Sequence, residues 1–140
     1  MRGRLRVIDR NLDLYVVAGE PVRVRYRRQL ADGATRELVG EVYAFTIYAA
    51  DGTTVSSVAS AIGQDADGDY ADMTHPATLS VECAGRIGLR WELAEVLPVG
   101  RQRRFAGRFS VARGPGSVAG SASPYAVPDI DWIIERDSGR

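Results

Sequence analysis

Four segments of this chain alternate apolar and polar side chains with a period of two, and that period limits what the chain can fold into. "VRVRYR" places Val22, Val24 and Tyr26 on one side and Arg23, Arg25 and Arg27 on the other. "IGLRWEL" turns Ile87, Leu89, Trp91 and Leu93 one way and Arg90 and Glu92 the other. "RFAGRFSV" does the same with Phe105, Phe109 and Val111 against Arg104 and Arg108. "VYAFTIY" sets Tyr43, Phe45 and Ile47 against Val42, Ala44, Thr46 and Tyr48, a run apolar enough to be covered on both sides. Successive side chains of a strand point to opposite faces of its sheet, so each run predicts a strand with one face on a core. "RLRVI" and "LDLYVV" near the start are shorter candidates of the same kind.

The runs are separated by turn signals: "AGEP" at 18–21, "ADG" at 31–33 and 50–52, "ADGD" at 66–69, "CAGR" at 83–86 and "LPVGR" at 97–101. Asp-Gly between alternating strands favours a hairpin, because glycine reaches positive φ without a Cβ penalty. "LSVECAG" places Cys83 in or at the end of a strand, and "THP" reads as a loop before it. No amphipathic helix of ten or more residues is legible. Many short strands without helices between them predict an all-β sandwich or barrel.

Composition narrows the function classes. At 140 residues and 45% hydrophobic content the chain is the size of one ordinary domain. Eighteen basic and eighteen acidic residues balance, so no global field draws the protein to nucleic acid or to an anionic membrane. All eighteen basic residues are arginine, the bias of a GC-rich bacterial or viral genome. Cys83 is the only cysteine, which excludes an intramolecular disulfide and a cysteine-based zinc site within the chain. The N-terminus has no continuous apolar stretch of the signal-peptide kind, so a cytosolic site of synthesis is expected.

Beyond Val111 the character changes. Residues 113–124, "RGPGSVAGSASP", have the composition of a flexible linker. Residues 125–140 then bring back Tyr125, Ile130, Trp132, Ile133 and Ile134. That cluster is too small to fold alone. It must dock on its own domain (1–112) or on a neighbouring chain, and a long tether favours the neighbour.

Three constellations invite chemistry. "GQDADGDYADMTH" gathers Asp65, Asp67, Asp69 and Asp72 with His75, the chain's single histidine. A calcium loop of the EF-hand type needs carboxylates at positions 1, 3 and 5, glycine at 6 and glutamate at 12. Counted from Asp65, the carboxylates fit, but Gly68 falls two places early and Pro76 stands where the glutamate belongs. The four aspartates are therefore weak metal candidates, and an acidic turn between strands is the expectation. His75 as a base would need an aligned nucleophile, Cys83 or a serine, and no nucleophile-elbow motif surrounds any serine. The arginines of "RQRRFAGR", including Arg103 and Arg104, together with those of "RVRYRR", form a possible basic patch. With zero net charge, contacts to acidic neighbours in an assembly suit them better than nucleic acid.

The order of these features resembles a known domain. "VVAGEPVRVRYR", then "EVYAFTIYAADGTTV" with its Asp-Gly hairpin, an acidic loop at 65–72, "ATLSVECAG" and "RIGLRWELAEVLPVGRQRRFAGRFSV" follow one another as in the N-terminal domain of phage baseplate upper proteins and related tailed-phage virion proteins. The resemblance covers about residues 10–112 and rests on pattern and spacing. It implies an immunoglobulin-like antiparallel β-sandwich, here with a flexible C-terminal extension. It also implies a non-enzymatic structural or adaptor component of a tailed phage or phage-like particle, present in many copies in tail, baseplate, neck or capsid surface, with no catalytic residues and no cofactor. Its expected partners are other virion proteins and copies of itself, with Tyr125, Ile130, Trp132, Ile133, Ile134, Arg103 and Arg104 as contact residues and no nucleic acid or membrane. The alternative is a carbohydrate- or ligand-binding sandwich for host-surface attachment, with Trp91 or Tyr70 as a stacking platform.

Overall fold

The structure, a computed structural model, describes residues 12–112 and 132–136, and residues 4–7 as backbone only. Among these residues the chain forms β1 (Arg4–Val7), β2 (Leu14–Val17), β3 (Val22–Gln29), β4 (Val42–Tyr48), β5 (Thr54–Ala59), β6 (Ala61–Asp65), β7 (Gly68–His75), α1 (Ala77–Cys83), β8 (Arg90–Leu97), β9 (Gly100–Ala112) and β10 (Trp132–Arg136). Two five-stranded sheets result, in the orders β1-β10-β3-β7-β6 and β2-β9-β8-β4-β5. The strands β3, β7 and β6 share one sheet while β9, β8 and β4 share the other. Two such sheets packed on each other make an all-β sandwich. The pairings are antiparallel except at β1–β10, β10–β3 and β2–β9.

The apolar residues that the alternation turns inward on β3, β4 and β9 do form the core. Val22, Val24 and Tyr26 face Tyr43, Phe45 and Ile47, and Phe105 and Phe109 lie behind them, all buried. On β8, Leu89, Trp91 and Leu93 are inside, whereas Ile87 is 89% exposed, because the strand begins only at Arg90. Cys83 is buried but not in a strand: it ends the seven-residue helix α1. Pro76 leads that helix with its fixed φ, and Leu79, Ser80 and Cys83 turn inward. Ser80 Oγ anchors it by accepting from Gly19 N–H (2.9 Å) and donating to the Glu20 carbonyl (2.8 Å).

Two local features shape the interior. Gly107 sits where a Cβ would lie 1.9 Å from the Leu12 carbonyl oxygen, so only glycine lets the lead into β2 cross that close. Trp91 Nε1 donates to the same carbonyl at 2.6 Å. The second feature is a bulge in the β8–β9 ladder: Leu93 pairs with Phe105, and Ala94 with Arg103, leaving Arg104 as the extra residue. An extra residue breaks the alternation and re-aims a side chain. Arg104 therefore turns inward beside Phe105 instead of outward as the strict period predicts, and it is only 7% exposed.

Candidate functional site

The acidic stretch is part of a tight hairpin. Asp65 pairs with Gly68 across the turn between β6 and β7, and Gly68 takes the positive φ. Each aspartate is engaged within the chain. The Asp65 carboxylate accepts from Arg27 Nη2 at 2.6 Å and from the Asp67 N–H at 2.9 Å. Arg27 thereby holds the Asp65 carboxyl below its ordinary range. Asp69 is depressed in the same direction by the Leu38 N–H and by Gln64 Nε2. Asp72 faces Arg23 at 3.1 Å, and Asp67 Oδ2 lies 4.0 Å from Arg27 Nη1. Among the described residues no group of three or more histidine, cysteine or acidic side chains gathers as a metal site would require.

His75 lies at the far end of β7, fully buried against the Phe45 ring. Its Nε2 stands 3.0 Å from the Phe45 carbonyl, which can only accept, so the proton sits on Nε2. Nδ1 then accepts from the Ser56 hydroxyl at 3.0 Å. Burial lowers its pKa and favours the neutral ring. With β7 in one sheet and Phe45 in the other, this imidazole ties the two sheets together. Asp69 is six residues away along the same extended strand, roughly 20 Å, so the aspartates and His75 form no common centre.

The proposed stacking platforms are covered. Trp91 is buried. The Tyr70 ring packs on Gly63, where even a Cβ would come within 2.7 Å, and Arg25 lies 4.7 Å from its centroid. Trp132 meets Tyr70 at 5.6 Å, edge to face, and covers Arg27 at 4.6 Å. On this outer face arginines and aromatic rings thus occupy one another.

Of the predicted contact residues, Tyr125 and Ile130 lie outside the described residues, as does the predicted linker at 113–124. Trp132, Ile133 and Ile134 belong to β10, which runs between β1 and β3 of the chain's own sheet, with Ile133 and Ile134 buried. Arg104 and Arg103 part company at the bulge. Arg104 forms a buried pair with Glu135 of β10, Nε to Oε1 at 3.0 Å and Nη2 to Oε2 at 2.6 Å. The Tyr26 hydroxyl donates to the same carboxylate. Burial together with the Glu135 carboxylate raises the Tyr26 phenol far above its usual range. Arg103 stays on the surface, where its Nε meets Glu92 at 2.9 Å.

That surface is the outer face of β9, β8 and β4. Val42, Ala44, Thr46 and Tyr48 alternate outward along β4, and Arg90, Glu92, Ala94 and Val96 lie beside them along β8. The Glu92 carboxylate collects the Tyr48 hydroxyl (3.1 Å), Arg101 (3.0 Å) and Arg103 (2.9 Å). Next to it an open cleft of 370 Å³ is lined by Tyr48, Ala50, Arg90, Glu92 and Arg103. Two arginines share this one glutamate, and Arg90 lines the cleft beside it. Toward the other end the face becomes aliphatic. Val42 stands opposite Val96, and the β8–β9 hairpin presents Val99 at its tip, 94% exposed. Val39, in the connection leading into β4, is 79% exposed, and Leu97 is also exposed.

The sequence pattern marked Arg103 but missed Glu92 and the aliphatic end. The outward set of β4 contained the signal: Val42 and Ala44 are apolar at positions where a solvated strand would carry polar residues. No protein-family model matches this chain, and no curated protein matches it.

Proposed function

We propose that this protein is a non-enzymatic adaptor that binds a neighbouring subunit of a larger assembly through the outer face of β9, β8 and β4. The observation that carries this is the exposed pair of Val42 and Val96, which stand opposite each other on this face, with Val39 exposed in the lead into β4, Val99 exposed at the tip of the β8–β9 hairpin, and the row of Arg101, Arg103 and Arg90 along the same strands. Contiguous exposed aliphatic side chains beside polar groups mark protein contacts. Side chains that desolvate together supply most of such an interface's energy, and charges at its rim set register and partner choice. The fitting partner offers an apolar patch flanked by carboxylates.

The order of sequence features favours a tailed-phage or phage-like particle as that assembly, because its structural proteins carry sandwiches of this pattern. Symmetry and multiple copies would then turn a modest single contact into stable incorporation. The test is a photo-crosslinking residue at Val99 in assembled particles. Crosslinking to one structural subunit is the expected result. A particle-bound protein whose Val99 crosslinks to nothing contradicts the proposal.

A further inference from the structure

We propose that Arg90 and Arg108 form a clamp for a carboxylate, and that an aspartate or glutamate side chain of the neighbouring subunit is seated in it. The inference rests on the reading that the face of β9, β8 and β4 docks such a subunit, and it names the chemistry by which that face selects one.

The first ground is a local rule that the ladder breaks. Arg90 of β8 and Arg108 of β9 stand directly opposite each other. Next to them the Phe109 N–H donates to the Leu89 carbonyl at 3.0 Å, so Arg90 and Arg108 are a non-hydrogen-bonded pair, the kind that brings side chains closest. Like charges placed this way repel and weaken a sheet. Both side chains are exposed, and among the described residues neither guanidinium has a hydrogen bond or an ion pair. Departures from local rules of this kind concentrate where a molecule functions. Two cations held together without a counter-charge fit an anion that comes from outside.

The second ground is that the described carboxylates around the pair are already engaged. Glu92, the next outward residue of β8, accepts from the Tyr48 hydroxyl, Arg101 and Arg103. Asp13 accepts from the backbone N–H of Arg108 at 3.0 Å. Asp51, in the β4–β5 turn, accepts from the N–H and the hydroxyl of Thr53.

The third ground is room. The 370 Å³ cleft beside Arg90 is walled in part by Ala50, Gly52 and Ala106, residues too short to fill it, and Arg103 also lines it. A glutamate side chain entering the cleft brings its carboxylate to Arg90, whose planar fork matches it with two parallel N–H···O bonds. A nucleic-acid backbone suits the place less well. It calls for basic residues in succession, whereas Glu92 interrupts the row, and over the whole molecule eighteen acidic residues cancel the eighteen arginines.

The test titrates the full-length protein with hexaglutamate while the arginine Nε–Hε signals are followed by NMR. The signals of Arg90 and Arg108 should shift saturably, and that of Arg23 on the other sheet should not. Arg108→Glu supplies the missing carboxylate from within the chain. Its melting temperature should equal or exceed that of wild type, while the Arg90 signal should need at least tenfold more peptide to respond. Arg90→Gln should weaken the response of the Arg108 signal in the same way. Signals that stay still, that shift no more than Arg23, or that respond to an equally charged thymidine oligonucleotide at lower concentration than to hexaglutamate overturn the proposal. An Arg108→Glu protein that melts well below wild type overturns it too, because Arg108 then serves the fold.

A photo-crosslinking residue at Val99 in assembled particles separates this proposal from the reading beneath it. Wild type should crosslink to its neighbour, and Arg108→Glu at least tenfold less. Equal crosslinking by both overturns the clamp and leaves the adaptor reading standing. Wild-type protein that does not crosslink overturns the adaptor reading instead, and the titration then decides the clamp by itself.

Discussion

Arg104 and Glu135 meet inside the sandwich as a two-pronged ion pair, 3.0 Å and 2.6 Å, although 31 residues separate them in sequence. The pair exists because a bulge turns Arg104 inward and because β10 presents every second residue to the core. Removing one partner of such a pair strands a buried charge, at a cost of about 3–5 kcal/mol. Arg104→Met should therefore be strongly destabilising. Replacing Tyr26, Arg104 and Glu135 together by Phe, Met and Leu should recover much of that loss. Denaturant titration of Arg104→Met, Tyr26→Phe, Glu135→Leu and the triple variant checks this; additive losses in the triple variant would contradict it.

His75 gives the protein a pH dependence that can be assigned without ambiguity, since the chain has one histidine. Burial lowers its pKa in the folded state, while the unfolded ring titrates near about 6.5. Below that value the unfolded state binds the extra proton, so stability present at pH 7–8 is lost as the pH falls from roughly 6.5 toward the lowered folded value. The carboxyls of Asp65 and Asp69 are also depressed, and their share is lost in a separate window, below about pH 4. Melting temperatures between pH 8 and 5 should decline, and His75→Gln should flatten the slope. A flat wild-type profile over that range speaks against the buried neutral ring.

The contrast between Gly107 and Gly63 yields a third expectation. At Gly107 a methyl group meets backbone at 1.9 Å, so Gly107→Ala must push the lead into β2 off Trp91. Overpacking of this kind costs about 1–3 kcal/mol or more. At Gly63 the obstacle is the partly buried Tyr70 ring, a side chain that can give more readily than backbone. Gly63→Ala should cost less than Gly107→Ala in the same denaturation assay, and the reverse order would show that Leu12 yields easily.

Removing residues 113–140 also has a definite expected outcome. The cut deletes β10 from between β1 and β3 and takes the Arg104 counter-charge with it. Loss of a cooperative melting transition should follow. A truncated protein that melts like wild type would mean that β10 contributes little to the sandwich.

How much of this was legible in the sequence depends on how each strand is covered. β3, β4 and β9 are covered on the core side by large apolar residues, so their period of two is plain. β5, β6 and β7 carry serine, threonine and aspartate where other strands carry valine or phenylalanine. The acidic stretch read as a loop because the groups that hold Asp69 and Asp72 in the strand, the Leu38 N–H and the Arg23 guanidinium, are distant in sequence. Arg104 and Glu135 were hidden for a different reason: alternation cannot register a bulge, and a charge turned inward is intelligible only beside its distant partner. Cys83 was misplaced because seven residues span two turns, too few for a helical stripe to stand out. The face of β9, β8 and β4 was half legible, through Arg103 and the apolar outward set of β4.

The adaptor account rests on the aliphatic end of that face, and incorporation into particles tests it most directly. Val39→Asp with Val99→Asp alters two side chains that project into solvent, so the fold and melting temperature should hold. The account predicts that wild-type protein is recovered in purified particles and that the double variant, equally folded and equally abundant in the cell, is depleted from them at least tenfold. Equal incorporation of the two proteins would contradict it.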